Sequence, residues 1–144
     1  MINPKNQTHQ KVKNDLIEET KDVSNLKILI AEDDYVSYLY ISTVLKAVAK
    51  EILHAKTGAE AIELCKQHPD IDIILMDIKM PGVNGYEATT EIRAFNKDVK
   101  IIAQTAFALS GDAEKAIEVG CNDYITKPID KKLLMKMLNT QLKK

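Results

Sequence analysis

Leu26-Lys27-Ile28-Leu29-Ile30-Ala31-Glu32-Asp33-Asp34 is the stretch on which the reading of this chain turns. From Leu26 to Ala31 the run is apolar except for Lys27 and lacks the period-two alternation of a half-solvated strand. Such a run fits a parallel strand buried on both faces. Three acids follow it directly. Helical spacing then takes over, with Val36, Leu39, Tyr40, Val44, Leu45 and Val48 recurring at three and four, and Asp34 stands where an N-cap belongs.

The same alternation continues outward. Ile52 to Ala55 reads as a second strand, and Thr57-Gly58 leads into a helix carrying Ala61, Ile62, Leu64 and Cys65 that Pro69 stops. Ile71 to Met76 reads as a third strand that delivers Asp77 to its C-terminal end. Pro81 to Gly85 is a loop by composition, and Tyr86 to Phe95 has helix spacing. A fourth strand over Lys100 to Gln104 precedes a helix from about Ser110 to Val119, with Gly120 as its C-cap. Asp123 to Thr126 is the fifth strand and Lys131 to Leu142 the closing helix. Five strands alternating with helices predict an α/β fold with a parallel sheet covered on both faces. The expected form is a flavodoxin-like (βα)5 three-layer sandwich with strand order 2-1-3-4-5.

Residues 1–25 differ in character, being rich in Asn, Lys, Gln, Glu and Thr. A short helix around Val12 to Glu19 is conceivable, but a flexible tail or interdomain linker is the expectation. The domain itself is expected over residues 26–144. With 144 residues the chain can bury a core without disulfides or a structural metal. A formal net charge of -1 argues against a nucleic-acid clamp or a polybasic membrane patch. Cys65 and Cys121 have no metal-ligand spacing, and each sits in an apolar helix or strand context as a reduced core thiol. No stretch reads as a signal peptide or a membrane span, so a cytoplasmic location is expected, including the cytoplasmic part of a membrane-bound sensor.

Right-handed βαβ connections place the C-terminal ends of parallel strands on one edge, where ligands of such folds collect. Glu32 and Asp33 after the first strand and Asp77 after the third therefore converge, since strands one and three are neighbours. Close carboxylates raise one another's pKa unless a cation sits among them. Mg²⁺ suits an all-oxygen set that also meets phosphate oxygens. Aspartate is a covalent nucleophile for phosphoryl groups, and Lys127, followed by Pro128, can aim an ammonium across the pocket from the end of strand five. Thr105 at the end of strand four offers a hydroxyl. Each residue alone has a plain structural explanation; their joint placement on one edge points to chemistry.

These segments together resemble response-regulator receiver domains of two-component systems. The resemblance is carried by Ile28 to Asp34, by Leu75-Met76-Asp77-Ile78-Lys79-Met80-Pro81 with Gly85-Tyr86-Glu87, and by Thr105-Ala106, Asp123-Tyr124 and Lys127-Pro128. In order and spacing it extends from Lys27 to about Leu142. It implies that Asp77 is the phosphoacceptor, that Glu32 and Asp33 with Asp77 and the backbone carbonyl of Lys79 bind Mg²⁺, and that Lys127 pairs with the phosphoryl group. Thr105 and Tyr124 look like the switch pair. Lys79 and Phe107 occupy positions that tune attack by water, which suggests slow self-hydrolysis.

The implied function is Mg²⁺-dependent transfer of a phosphoryl group from phosphohistidine to Asp77, switching a protein-interaction surface. The domain would catalyse its own phosphorylation without being a stand-alone enzyme. The partner is expected to be a histidine kinase dimerisation domain or a histidine phosphotransfer domain, docking near the first helix around Tyr35, Val36, Tyr38 and Leu39, with Val36 and Tyr40 as candidate exposed residues. Nucleic acid and direct membrane contact are not expected, and the domain is expected to be a monomer or a weak dimer. The text looks most like the C-terminal receiver of a hybrid sensor histidine kinase, with a free-standing regulator as competitor. A degenerate receiver acting as an unphosphorylated interaction module is the alternative. A flavin-binding module is disfavoured because Glu32-Asp33-Asp34 would repel a phosphate, and an α/β hydrolase because its second acid would follow the first strand.

Overall fold

The computed structural model describes residues 23–107 and 110–143; the possible helix around Val12 to Glu19 lies outside them. Strands β1 (Leu26–Ala31), β2 (Ala49–Ala55), β3 (Ile73–Asp77), β4 (Lys100–Thr105) and β5 (Asp123–Thr126) alternate with helices. Those helices are α1 (Tyr35–Leu45), α2 (Gly58–Gln67), α3 (Gly85–Phe95), α4 (Asp112–Val119) and α5 (Lys131–Leu142). Every strand pairing is parallel, and the order is β2-β1-β3-β4-β5, as the alternation implied.

The near-continuous apolar runs are explained by two cores, one on each face of the sheet. Ile28, Ile30, Leu75, Ile102 and Ile125 face Ile41 and Leu45 of α1 and Leu134 and Leu138 of α5. Leu29, Ile74, Met76, Ile101 and Ala103 face Ala61 and Ile62 of α2, Ala88 and Ile92 of α3, and Ala116 of α4. Successive residues point to opposite faces, so a strand between two helix layers must be apolar at both parities. Each fully buried Ile or Leu contributes about 1.5–3 kcal/mol, so β1 and β3 anchor the sheet.

The one charge inside the β1 run is handled locally. Lys27 is buried at the N-terminal edge of the sheet. Its ammonium reaches Asp70 at 3.0 Å and His68 Nδ1 at 2.9 Å, with Glu51 at 3.6 Å. An ammonium can only donate, so His68 Nδ1 is the acceptor there. The bond from Lys27 is the main reason Asp70 is held below its ordinary carboxylate range.

Several element ends differ from the sequence reading. β2 begins at Ala49 because parallel pairing with β1 extends across a bulge at Leu26/Lys27. Val48 lies past the end of α1 and packs into the core from the connection. β3 begins at Ile73, since Asp72 is spent on a lead-in turn that bonds the Lys27 backbone from both its amide and its carboxylate. α4 starts at Asp112 after Gly111, which takes a left-handed conformation. Cys121 is buried as expected but lies in the turn between α4 and β5 rather than in an element; both cysteines are free thiols.

The caps that the sequence suggested are formed. Asp34 accepts the Ser37 amide at 3.1 Å, and Gly120 closes α4 at φ 119°. Asn84 and Glu87 add a reciprocal capping box at the start of α3, which fixes the loop that follows Asp77.

Candidate functional site

The strand register brings the acids together. Ala31 is opposite Met76, so Glu32 and Asp33 leave β1 beside Asp77, the last residue of β3. One carboxylate oxygen from each of Glu32, Asp33 and Asp77 lies within 4.8 Å of the others. Glu32 is fully buried and Asp77 nearly so, while Asp33 is exposed at the mouth. β5 contributes the cation. The Lys127 amide bonds the Thr105 carbonyl at 2.8 Å, which sets where its side chain starts. The ammonium then spans the pocket, 2.9 Å from Glu32 Oε1 and 3.2 Å from Asp77 Oδ2. The Lys127–Pro128 peptide is cis.

The loop after Asp77 is drawn back over it. The Lys79 amide donates to Asp77 Oδ1 at 3.0 Å, and the Gly85 amide bonds the Ile78 carbonyl at 3.2 Å. At Gly85 a Cβ would press against the Asp77 carbonyl and the Ile78 Cα, so only glycine lets α3 start this close to the strand end.

Charge is unbalanced in this pocket. Burial pushes the Glu32 carboxyl up to about 8, Asp77 adds to the shift, and Lys127 only partly opposes it. Burial works against the Lys127 ammonium, but its bonds to Glu32 and the charge of Asp77 outweigh burial and raise its pKa. Of the three converging carboxylates only Glu32 and Asp77 meet the Lys127 ammonium, and Glu32 Oε2 is buried with no partner among the described residues. An all-oxygen donor set with an idle buried oxygen and surplus negative charge fits a hard divalent cation.

Other residues singled out in the sequence fall nearby. Thr105 is fully buried at the end of β4, and its hydroxyl has no hydrogen-bond partner among the described residues. Tyr124 sits on β5 opposite Ala103 and is 37% exposed. The Lys79 ammonium stands 5.4 Å from the Phe107 ring centre, and Phe107 is 63% exposed.

On α1, Val36 and Tyr40 are exposed as expected, together with Tyr35 and Leu39. Tyr38 is instead half-buried, stacked on His54 at 3.6 Å between ring centres. The sequence reading missed Gln104, which is fully buried beside Asp77 in register. The available signal was a polar side chain at an inward position of an otherwise apolar strand.

Fold and site thus define a flavodoxin-like α/β domain with an acidic cluster and one lysine at the C-terminal edge of its sheet. A family profile for the response regulator receiver domain matches residues 28–139, and the chain belongs to that family, a component of two-component signalling. It is 41% identical over 124 residues to hybrid signal transduction histidine kinase I of Dictyostelium discoideum, covering 81% of this chain but 7% of that protein. It is 36% identical over 104 residues to the polar-differentiation response regulator DivK of Brucella ovis, covering 71% of this chain and 84% of DivK.

Among solved structures, the receiver domain of sensor histidine kinase PA1611 from Pseudomonas aeruginosa, with a magnesium ion in its active site cleft, superposes with a TM-score of 0.76. That match has 34% identity and covers 84% of this chain and all of that one. The Saccharomyces cerevisiae receiver domain of Ssk1, crystallised with the histidine phosphotransfer protein Ypd1, gives a TM-score of 0.77 at 30% identity. There the match covers 83% of this chain and 90% of the other. No described helix is long and apolar enough to cross a membrane.

Proposed function

We propose that the unit from residue 26 onward is a phosphorylation switch in which Asp77 takes a phosphoryl group from a phosphohistidine, with residues 1–25 serving as a tail or linker. One observation carries this reading: the acid trio converges within 4.8 Å while Lys127 already reaches Asp77 Oδ2. In the transfer, an Asp77 oxygen forms a bond to phosphorus as the phosphorus–nitrogen bond to the donor imidazole breaks, and the imidazole leaves with the bonding pair. Lys127 faces the charge on the phosphoryl oxygens, and Thr105 supplies a buried hydroxyl donor. Glu32, Asp33, Asp77 and the Lys79 carbonyl would hold Mg²⁺, whose charge would offset that of the acidic cluster.

A dianion on Asp77 gives the idle Thr105 hydroxyl an acceptor, and its shift makes room for the Tyr124 ring to turn inward. The exposed Tyr35, Val36, Leu39 and Tyr40 on α1 adjoin the acid cluster and suit a helical partner. That partner is a histidine phosphotransfer or kinase dimerisation domain, as the Ypd1 complex of the Ssk1 receiver suggests.

The test is intact mass after incubation with Mg²⁺ and acetyl phosphate. The wild type is expected to gain one phosphoryl group, and Asp77→Asn none, with no gain for either in EDTA. If the wild type stays unmodified even with a phosphohistidine donor, the domain is a degenerate receiver that binds without being phosphorylated.

Lys79 and Phe107 bear on the lifetime of the product. Their cation–π contact places an aromatic ring and a cation beside the lip of the Asp77 pocket. Phe107→Ala is expected to shorten the acyl-phosphate half-life several-fold by admitting water, leaving the phosphorylation rate little changed. An unaltered half-life in a mass-spectrometric time course would remove Phe107 from that role.

A further inference from the structure

β4 carries a polar side chain that the chemistry above leaves unused. Gln104 is fully buried and pairs in register with Asp77, yet neither end of its amide finds a partner among the described residues. Buried amides are nearly always hydrogen-bonded, so one idle at both ends calls for an explanation. Strand parity gives its direction. Ile102 shares a core with Ile28, Ile30, Leu75 and Ile125, and Gln104, two residues on, falls on the same face.

Glu32 and Lys127 also meet on that face. With Gln104, Val36, Tyr40 and Ile129 they line a single cavity of about 480 Å³ between α1 and the segment after β5. A second idle polar atom belongs to the same cavity lining, Glu32 Oε2. The other oxygen of Glu32 takes the Lys127 ammonium at 2.9 Å.

We infer that Gln104 is a positioning residue for Glu32. When Lys127 turns toward a phosphoryl group on Asp77, the Gln104 amide N–H donates to Glu32 and keeps that carboxylate in place. The inference rests on the phosphoacceptor reading. The Lys127 ammonium has three N–H donors, and a phosphoryl dianion competes with Glu32 for them. Once they are withdrawn, fully buried Glu32 has no protein donor on either oxygen, and only the cation that the acid trio would hold still faces it, which leaves the second oxygen unsatisfied. The cavity gives Gln104 room to change rotamer. A primary amide supplies a donor without adding charge to a pocket that already has a surplus.

The test is Gln104→Met, which keeps the reach of the side chain and suits its apolar neighbours. The variant is expected to melt at or above the wild-type temperature, because it no longer buries an idle amide. Its Mg²⁺ affinity, followed by backbone amide shifts in the unphosphorylated protein, is expected to be unchanged, since Lys127 still holds Glu32. Its phosphorylation rate with acetyl phosphate, followed by intact mass, is expected to fall about tenfold, the worth of one hydrogen bond to a charged group. Gln104→His returns a ring N–H and should recover part of that rate.

In the wild type the Gln104 side-chain NH₂ resonances are expected to shift when beryllofluoride is added with Mg²⁺, a readout independent of any rate. A Met variant with the wild-type phosphorylation rate overturns the inference, as does an NH₂ pair unmoved by beryllofluoride. A Met variant that melts lower and binds Mg²⁺ more weakly also overturns it, because the role is then structural. A wild type that accepts no phosphoryl group removes the phosphoacceptor reading and this inference together, which distinguishes that failure from the others.

Discussion

Lys127→Met is expected to destabilise the metal-free domain by about 2–3 kcal/mol and to abolish phosphorylation, with Mg²⁺ restoring the first property but not the second. The size follows from what the ammonium holds. Glu32 and Asp77 are buried, and Lys127 contacts one oxygen of each. Breaking a fully buried pair leaves an uncompensated charge and costs about 3–5 kcal/mol. The Lys127 side chain is 30% exposed, so solvent screens part of the loss and the lower figure applies.

A divalent cation among the acids supplies positive charge by another route, so urea melts with Mg²⁺ should bring variant and wild type closer together. It cannot supply the ammonium that faces the phosphoryl oxygens from the β5 side. Intact mass should therefore show no phosphoryl gain at any Mg²⁺ concentration. Lys127→Arg, which keeps the charge, should recover much of the stability. Equal urea midpoints for wild type and Lys127→Met in EDTA would show that the ion pairs are worth nothing to the fold.

The sequence was most legible where one physical demand dominated. Ile28 to Ile30 and Ile73 to Met76 had to be apolar at both parities to lie between two helix layers, and they were read correctly as buried parallel strands. That assignment alone put Glu32, Asp33 and Asp77 on one edge. Legibility failed where several demands were mixed. On α1, apolar residues nearly encircle the helix, so spacing could not say that Ile41 and Leu45 face the core while Leu39 faces solvent. Edge strand β2 was read short because the exposed Lys50 and Glu51 break the apolar pattern, although Glu51 still pairs with Lys27 and Lys50 is the extra residue of the bulge. Gln104 was read as the last residue of the fourth strand and given no role, because a polar side chain at a strand end usually faces solvent. Only the register with Asp77 shows that it lies inside.

The metal-free domain is expected to lose stability as pH rises from about 5 to 8, by roughly 3 kcal/mol from Glu32 alone. The sign follows from which state holds the proton. Burial raises Glu32 in the folded protein from an ordinary 4.5 to about 8. Below 4.5 both states are protonated there, and the group does not favour either. Between 4.5 and about 8 the unfolded chain releases the proton while the folded one retains it, so each step up in pH favours unfolding. Above about 8 both have lost it, and the dependence on this group flattens.

Asp70, held low by Lys27, works in the opposite direction, adding stability that is lost only in acid, below the window in question. Lys127, raised above its ordinary range, changes charge only at strongly alkaline pH. Glu32 therefore governs the slope near neutrality. Urea denaturation in EDTA at pH 5.5 and 8 should show the decline, and Glu32→Gln, neutral at every pH, should flatten it. Saturating Mg²⁺ should flatten it too, because a cation at the acid trio favours the ionised folded form and offsets the burial of its charge. A wild type whose stability in EDTA rises between those two pH values would mean that Lys127 keeps Glu32 ionised and that the surplus negative charge is borne elsewhere in the cluster.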